Sequence, residues 1–304
     1  MKGSSVKLAL AYEGSYGASP GAFSYVPFIS SGLRGEQTLL DNDILGLGRD
    51  AQRPARDVVN INGSVTVPID AVNVGYWLKL LLGNPTTTGT GPYQHSFVSG
   101  SDTLPSAQLE FGDAGLYHLY KGVVANSFQL RAEPTGRVNA VFELLGASVT
   151  YATSSVAGSP TSGTLTRFNA FDGAIKKDGV ALAKIVAADL RLSNNIELMR
   201  YIGGAGAVED VVPGIFQATG TIEARISDNT LLTLANAGTL FDLDLTFTSG
   251  TNVLNLSYQS AEIASAGVPF EGPGAVQATF NLVGAKSGSN PSIKIDLTNS
   301  KSSY

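Results

Sequence analysis

Apolar and polar residues alternate at every second position through much of this chain. In "EPTGRVNAVFELLGAS", Glu133 to Ser148, the apolar Val138, Ala140, Phe142 and Leu144 are separated by Asn139, Val141 and Glu143. A strand sends successive side chains to opposite faces, so the pattern predicts a half-buried strand entered from an exposed turn. The same pattern returns in "EGPGAVQATFNLVGAK", Glu271 to Lys286. Glu133, Gly136, Val138, Ala140, Phe142, Leu144, Gly146 and Ala147 recur as Glu271, Gly274, Val276, Ala278, Phe280, Leu282, Gly284 and Ala285, while the positions between Val138 and Leu144 drift. One face is kept apolar twice and the other is left free. This predicts a duplicated fold in which Phe142 and Phe280 hold equivalent buried positions on a closing strand.

The repeat extends outward in a constant register. Leu33-Arg34 corresponds to Leu190-Arg191, Gly46 to Gly203, and "GSVTVPID" from Gly63 to "GTIEARIS" from Gly220, each 157 positions apart. The closing strands, Gly136 against Gly274, are 138 apart, so the second copy is shorter between the two blocks. The surplus of the first copy falls around "GNPTTTGTGPYQHSFVSGSDTLP", a loop-rich insertion with one added strand. Each copy reads as a strand ("VPFISSGLRGEQ" or "AKIVAADLRLSNN"), a long connection, a returning strand, a short helix, further strands and the closing strand.

Asp70 is placed to cap "AVNVGYWLKLLL", whose Trp77, Leu78, Leu81 and Leu82 share one stripe. Ser227 or Asp228 is placed to cap "NTLLTLANAG", which Gly238 stops. "SAQLEFGD", "LYHLYKGVV" and "NSFQLRA" predict three strands after the first helix, and "FDLDLTFTS" and "NVLNLSYQS" two after the second. Tyr151 to Arg167, rich in Ser, Thr and Gly, predicts a linker. The expected division is an N-terminal arm over 1–27, a first unit over 28–150, a linker and lead-in over 151–183, and a second unit with a C-terminal tail over 184–304. The fold class is mainly β: two tandem β-sandwich or barrel domains, each with one short flanking helix and a long inter-strand loop.

Composition narrows the function. Charged residues make up only 15% of the 304, against about 25% in ordinary globular proteins, which points to a surface covered by other subunits. Cysteine is absent, which removes disulfides, thiolate metal sites and a cysteine nucleophile. The two histidines, His95 and His118, lie on different segments and are expected on strand or loop surfaces. A formal charge of −5 disfavours holding nucleic acid by neutralising its phosphates. The apolar run in "MKGSSVKLALAY" is too short for a signal-peptide core, and no stretch approaches the ~18 apolar residues of a membrane helix. A soluble, cytoplasmically made protein with no membrane partner is the expectation.

The motifs of chemistry are missing. "GLGRDA" at Gly46 lacks the third glycine of a nucleotide loop, and "GGAGAV" at Gly203 precedes no predicted helix. Neither a GxSxG elbow nor an HExxH motif occurs. Asp242 and Asp244 share a strand face, but Leu243, Leu245 and Phe247 supply its buried side, so they read as a polar edge. No catalytic residue, cofactor or metal is expected.

The long connections carry the functional signal. Connections between strands are usually a few residues, and long ones are usually functional. The first mixes Leu40, Ile44, Leu45 and Leu47 with Asp41, Asp43, Arg49, Arg53, Arg56 and Asp57. The second holds Met199, Arg200, Tyr201, Ile202, Val208 and Val211. An apolar centre with arginine at the rim suits a protein interface.

"RYIGGAG" from Arg200, "PGIFQATGTIEARISDNTLLTLANAGT" from Pro213, "GPGAVQATFNLVGA" from Gly272 and the opening "AYEGSYGASPGAF" together resemble the major tail tube proteins of long-tailed, siphovirus-like bacteriophages. The resemblance spans nearly the whole chain and is strongest in its second half. It implies two packed sheets with a flanking helix and a long loop, in subunits that form rings stacked into a hollow tube for DNA. Six fold units make a ring in that family, so a chain with two units implies a homotrimeric, pseudo-hexameric ring. The implied partners are further copies of the chain, with the tape measure protein and DNA in the lumen; the implied place is the virion tail, assembled in the host cytoplasm.

On this reading Leu40, Asp43, Ile44, Leu47, Arg53, Arg56, Met199, Arg200, Tyr201, Ile202 and Val208 are inter-ring contact candidates. Glu36, Asp57 and Glu223 are candidates for the lumen lining. The alternatives are another β-rich virion part, such as the inner tube of a contractile tail or a tail terminator. A carbohydrate-binding or adhesin module, or a β-sandwich hydrolase, fits less of the sequence.

Overall fold

A computed structural model describes all of residues 1–304 except Met1, Asn42, Ala183, Ala205, Ser227, Asp228, Ser265, Ala266 and residues 269–275. The expected caps Ser227 and Asp228, and the repeat positions Glu271 and Gly274, therefore lie outside the described residues. The first half contains β1 (Lys7–Tyr12), β2 (Ser24–Tyr25), β3 (Ser30–Ser31), β4 (Arg34–Leu40), β5 (Ala55–Pro68), helix α1 (Val74–Leu82), β6 (Thr86–Thr88), β7 (Tyr93–Val98), β8 (Ala107–Asp113), β9 (Leu116–Ala132), β10 (Asn139–Gly146) and β11 (Ser148–Ala152). The second half follows with β12 (Thr161–Ser162), β13 (Gly173–Lys177), β14 (Val180–Ala181), β15 (Ile185–Ser193), β16 (Glu197–Met199), β17 (Asp210–Val212), β18 (Gln217–Arg225), helix α2 (Thr230–Ala237), β19 (Phe241–Ser249), β20 (Asn252–Ile263), β21 (Gln277–Gly284) and β22 (Lys294–Asn299).

Each half is a sandwich. In the first, β2-β1-β8-β9-β11 face β4-β5-β10-β9, with β3 beside β4 on β5. In the second, β14-β13-β19-β20-β22 face β15-β18-β21-β20. The register is shared as well as the order. Phe142 stands opposite Val65 and Phe280 opposite Ile222. Leu144 pairs with Gly63 on one side and Ala125 on the other, as Leu282 pairs with Gly220 and Ile263. Leu109–Tyr120 matches Leu243–Tyr258, each beside an irregularity in the ladder. Both phenylalanines are fully buried. The recurring Gly63 and Gly220 have one physical cause. A Cβ would lie 2.3 Å from the Gly32 carbonyl oxygen in the first case and 2.4 Å from that of Asp189 in the second, the neighbouring strand in each half.

Several elements differ from the sequence expectation. "LYHLYKGVV" and "NSFQLRA" form one strand, β9, because no turn residue separates them. Its first part pairs with β8 and β11, and its last part with β10 and β15, so it belongs to both sheets. Residues 7–12, expected in an arm, form β1 of the outer sheet with Leu8 to Ala11 buried. Residues 173–177, expected in the lead-in, form β13 against β19. The insertion supplies β6 and β7, and β7 pairs with β22 of the other half.

That crossing explains His95, expected on a surface and found fully buried. It faces β22 and the chain's last residues: its Nε2 donates to the Lys301 carbonyl (2.8 Å), Nδ1 accepts from Thr87 Oγ1 (2.8 Å), and its ring meets Tyr304 edge-on. No local pattern announces a partner so far along the chain. His118 is half-buried, edge-on to Tyr151.

Helix α1 buries Val74, Trp77, Leu78, Leu80, Leu81 and Leu82, with only Tyr76 and Lys79 half-buried, so most of it lies inside the core. Trp77 packs on Phe142, and Tyr304 closes the outer side. The Tyr304 hydroxyl donates to the Val72 carbonyl and accepts from Asn299 Nδ2 (2.7 Å). Its ring sits over Gly75, where a Cβ would come within 2.2 Å of the ring. Gly75→Ala is therefore expected to destabilise the protein by up to about 2 kcal/mol: overpacking at ~1–3 kcal/mol is offset by alanine's helix preference of ~1 kcal/mol. Urea unfolding of the single variant, with Tyr304→Ala restoring room in the double variant, checks this. Helix α2 buries only Leu231 and Ala235 and stops at Gly238, whose φ of 59° is left-handed.

Asp70, expected as the α1 cap, holds the turn before the helix. Its Oδ1 accepts from the amides of Val72 (2.8 Å) and Asn73 (2.7 Å) and from Asn73 Nδ2 (3.0 Å), while Oδ2 is buried without a partner. Burial pushes its pKa up to about 6; these hydrogen bonds and the Arg167 guanidinium oppose the shift. The folded state thus holds a proton that the unfolded chain releases near pH 4. Stability should fall as pH rises from about 4 to about 6, by up to roughly 3 kcal/mol, with the full penalty present above pH 6. Asp70→Asn should lose this slope in denaturation midpoints measured across that range.

Candidate functional site

The strands place two long connections at one end of the sheets. The first is the tip of the β4–β5 hairpin, which continues as a ladder to Leu40–Ala55 through an irregularity between Gln37 and Leu39. Beyond it, Asp43, Ile44, Leu47, Arg53 and Arg56 are all exposed, as are Leu40 and Leu45. Leu45 is 93% exposed and Ile44 64%, large values for such apolar side chains. The second connection folds into its own small hairpin, β16 with β17.

The two connections touch. Arg200 reaches back across the second loop: Nε donates to the Gly206 carbonyl (3.1 Å), and Nη2 to Asn60 Oδ1 (2.9 Å) on β5. Gly206 lies so close to Val58 that a Cβ would come within 2.3 Å of that side chain. Val208 is buried, Met199 is half-buried, and Tyr201 and Ile202 stand exposed. Tyr16 of the opening segment lies nearby. Burial raises its pKa to about 12, Glu13 and Asp210 add to the shift, and Arg200 opposes it. Of the contact candidates, Arg200 and Val208 thus bind the second loop to the chain itself. Leu40, Ile44 and Leu47 on the first connection, and Tyr201 and Ile202 on the second, each form an exposed apolar crest. Sequence reading missed Leu39 (61% exposed) and Ile215 (85% exposed), which belong to the same end. The Pro213-Gly214 turn before Ile215 was the available signal.

A second surface runs along the strands. The inner sheets of the two halves are joined where β15 pairs antiparallel with β9, from Ala188–Ala132 to Ser193–Ser127. The result is one continuous sheet, β4-β5-β10-β9-β15-β18-β21-β20. One face holds the core. The other carries polar residues, among them Asn62, Ser64, Thr66, Ser127, Gln129, Thr219, Thr221, Thr279 and Asn281.

Three arginines on this face are engaged by carboxylates. Arg131 meets Glu133 (2.9 Å) and Glu223 (3.1 Å), Arg191 meets Asp189 (2.8 Å), and Arg34 meets Glu36 (2.6 Å). The hydrogen bonds that Arg131 donates to Glu133 and Glu223 raise its pKa, as the one donated to Asp189 raises that of Arg191. The exposed pairs of Arg131 and Arg34 add little stability; like the pair of Arg191 with the buried Asp189, they cancel charge locally. Of the lining candidates, Glu36 and Glu223 lie on this face. Asp57 sits at the ladder irregularity, accepting from Thr38 Oγ1 (3.2 Å) and the Val58 amide (2.8 Å).

Among the described residues no group of three or more His, Cys, Asp or Glu is placed to hold a metal ion. Asp242 is exposed at a strand edge; its pKa is raised by partial burial and by Asp178 and Asp244. None of the described helices is long and apolar enough to cross a membrane.

A family model described as phage tail tube protein matches residues 3–284. The chain belongs to the phage tail tube protein family. No curated protein matches the chain significantly. Phage tail tube proteins are structural parts of the virion tail that assemble into its tube, and a mainly β fold with two short helices is the architecture seen here. The match ends at the last residue of β21, so β22 and the Tyr304 latch over α1 lie beyond the span shared with the tail tube family model.

Proposed function

We propose that three copies of this chain form each ring of a siphovirus-like tail tube, and that stacked rings make the conduit through which DNA passes. The observation that carries this reading is the joined sheet. Two halves with the same strand order and register, already linked edge to edge, are two tube-fold units in one chain. Three such chains supply the six units that the family's rings use, closing the sheets into a barrel without free edges.

The polar face with its cancelled arginines is the lumen lining, with Glu36 and Glu223 on it. A lining that offers few unpaired cations to phosphates releases few counterions and lets a polyanion slide. The tape measure protein occupies the same space during assembly in the host cytoplasm. The exposed crests, Ile44 with Leu47 and Tyr201 with Ile202, meet the next ring, a head-to-tail contact that generates a filament. Native mass spectrometry of released rings, with symmetry analysis of the tube, tests the stoichiometry. Three chains per ring are expected; six full chains would overturn it.

A further inference from the structure

The internal repeat leaves one groove filled in the first half and open in the second. We propose that the groove between β14, the end of β18 and the first turn of α2 binds an extended segment of a partner protein. The segment lies along β14 and carries an acidic residue immediately before an aromatic anchor. This binding is independent of ring formation.

In the first half the corresponding groove holds the chain's own linker. Thr161 and Ser162 of β12 pair in parallel with Ser24 and Tyr25 of β2. Beyond them the Thr166 carbonyl accepts from the Ala71 amide (2.8 Å), and the Phe168 amide donates to the Ile69 carbonyl (3.1 Å). The Phe168 side chain is fully buried. The linker is thus an added strand that ends in an aromatic anchor. Main-chain hydrogen bonds hold such a segment, and a pocket selects its side chain.

The second half repeats the walls of this groove without the occupant. β14 lies on β13 as β2 lies on β1, with Lys177–Val180 in the place of Leu10–Ser24. The Leu182 amide donates to the Ile175 carbonyl (2.9 Å), as the Val26 amide donates to that of Leu8 (3.0 Å). The Ile226 amide donates to the Val276 carbonyl (2.9 Å), as the Ile69 amide donates to that of Val138 (3.1 Å). Val180, Leu182, Ile226 and Leu231 line a groove of about 400 Å³ in the place where the first half holds Thr161 to Phe168. Among the described residues β14 pairs only with β13, and Val180 is 71% exposed. Edges of this kind recruit another strand. The chain after β22, which takes the place on β20 that β11 takes on β9, goes elsewhere: Asn299 and Tyr304 bond to the Ala71 and Val72 carbonyls before α1.

The walls also select the occupant's charge. On the linker, Arg167 Nη2 donates to Asn139 Oδ1 (2.5 Å), and Asn139 stands opposite Pro68. The corresponding pair in the second half is Gln277 opposite Arg225, whose side chain is exposed. Lys177 and Asp178, the other charged groups lining the groove, pair with each other. An arginine before the anchor would therefore meet the Arg225 guanidinium, whereas a carboxylate would pair with it.

Two peptides test this on the full chain: TSGTLTRFN, the linker from Thr161 to Asn169, and TSGTLTEFN, with glutamate in place of its arginine. Fluorescence anisotropy of the labelled peptides at low salt should show about fivefold tighter binding of the glutamate peptide. Alanine in place of its phenylalanine should abolish binding. Arg225→Glu, a change at an exposed side chain, should reverse the order of the two peptides. Benzoylphenylalanine in place of the peptide's phenylalanine should cross-link to Val180, Leu182 or Ile226. No saturable binding of either peptide up to about 2 mM, an order unchanged by Arg225→Glu, or cross-links confined to other residues would overturn the proposal. Benzoylphenylalanine in place of Val180 shows whether a second copy fills the groove. Chains joined to one another at that position without peptide would overturn the assignment to a partner.

Discussion

Phe142→Ala is expected to destabilise the unassembled protein by about 4–5 kcal/mol, and Phe280→Ala by about 3 kcal/mol. Both side chains are completely buried at equivalent positions, so the lost transfer free energy is similar. The difference lies in the cavity left behind, whose cost depends on how far the surroundings collapse. Phe142 is gripped between Trp77 (5.3 Å between ring centroids) and Phe128 (5.1 Å), and most of α1 behind it is buried. The second half has no such helix. There the helix, α2, buries only Leu231 and Ala235, and among the described residues no aromatic ring packs on Phe280, so the surroundings are expected to collapse further. Urea denaturation with midpoints and slopes compared across both variants measures the two costs. Equal losses would show that the two cores are equally rigid.

Shortening the β4–β5 tip by removing Ile44 to Arg53 should leave rings intact and abolish long tubes. The tip belongs to no described sheet beyond Leu40–Ala55, and its Ile44, Leu45 and Leu47 side chains are exposed, so its loss removes little of the core. Tyr201→Ser should shorten tubes in the same way. Arg200→Ser acts differently, because Arg200 ties the second loop to Asn60 of the chain itself. It should loosen that loop and reduce tube length less than the deletion does. Circular dichroism reports the fold and negative-stain microscopy the length. Tubes of normal length from the deletion variant would remove the crest from the stacking contact.

Much of the architecture was legible because a strand writes its burial in a period of two. The repeat from Val138 to Leu144 and from Val276 to Leu282 located β10 and β21, and the shifts it defined reappear in the ladders of β5 and β18. The glycine pair Gly63 and Gly220 was visible as a repeat, but its cause, a neighbouring carbonyl, needed the fold. What stayed hidden depends on pairing between distant segments. Nothing near His95 reveals that β7 lies on β22 or that Tyr304 returns to cover Gly75. At the candidate site, apolar content picked out both loops. It did not separate Ile44 and Ile202, which face outward, from Val208, which is buried, since the local sequence is equally apolar in each case.

The β9–β15 junction has a consequence for the thermodynamics of ring building. Within one chain the two sheet edges are tethered, so their pairing is intramolecular and independent of concentration. In a ring of three such chains, half the junctions form during folding. Only three bodies, instead of six, must surrender translational and rotational freedom, at an estimated 4–15 kcal/mol for each association. Rings of the tethered chain should therefore persist at dilutions that dissolve a ring of single units with the same interfaces. When such a ring does come apart, it should open only between chains.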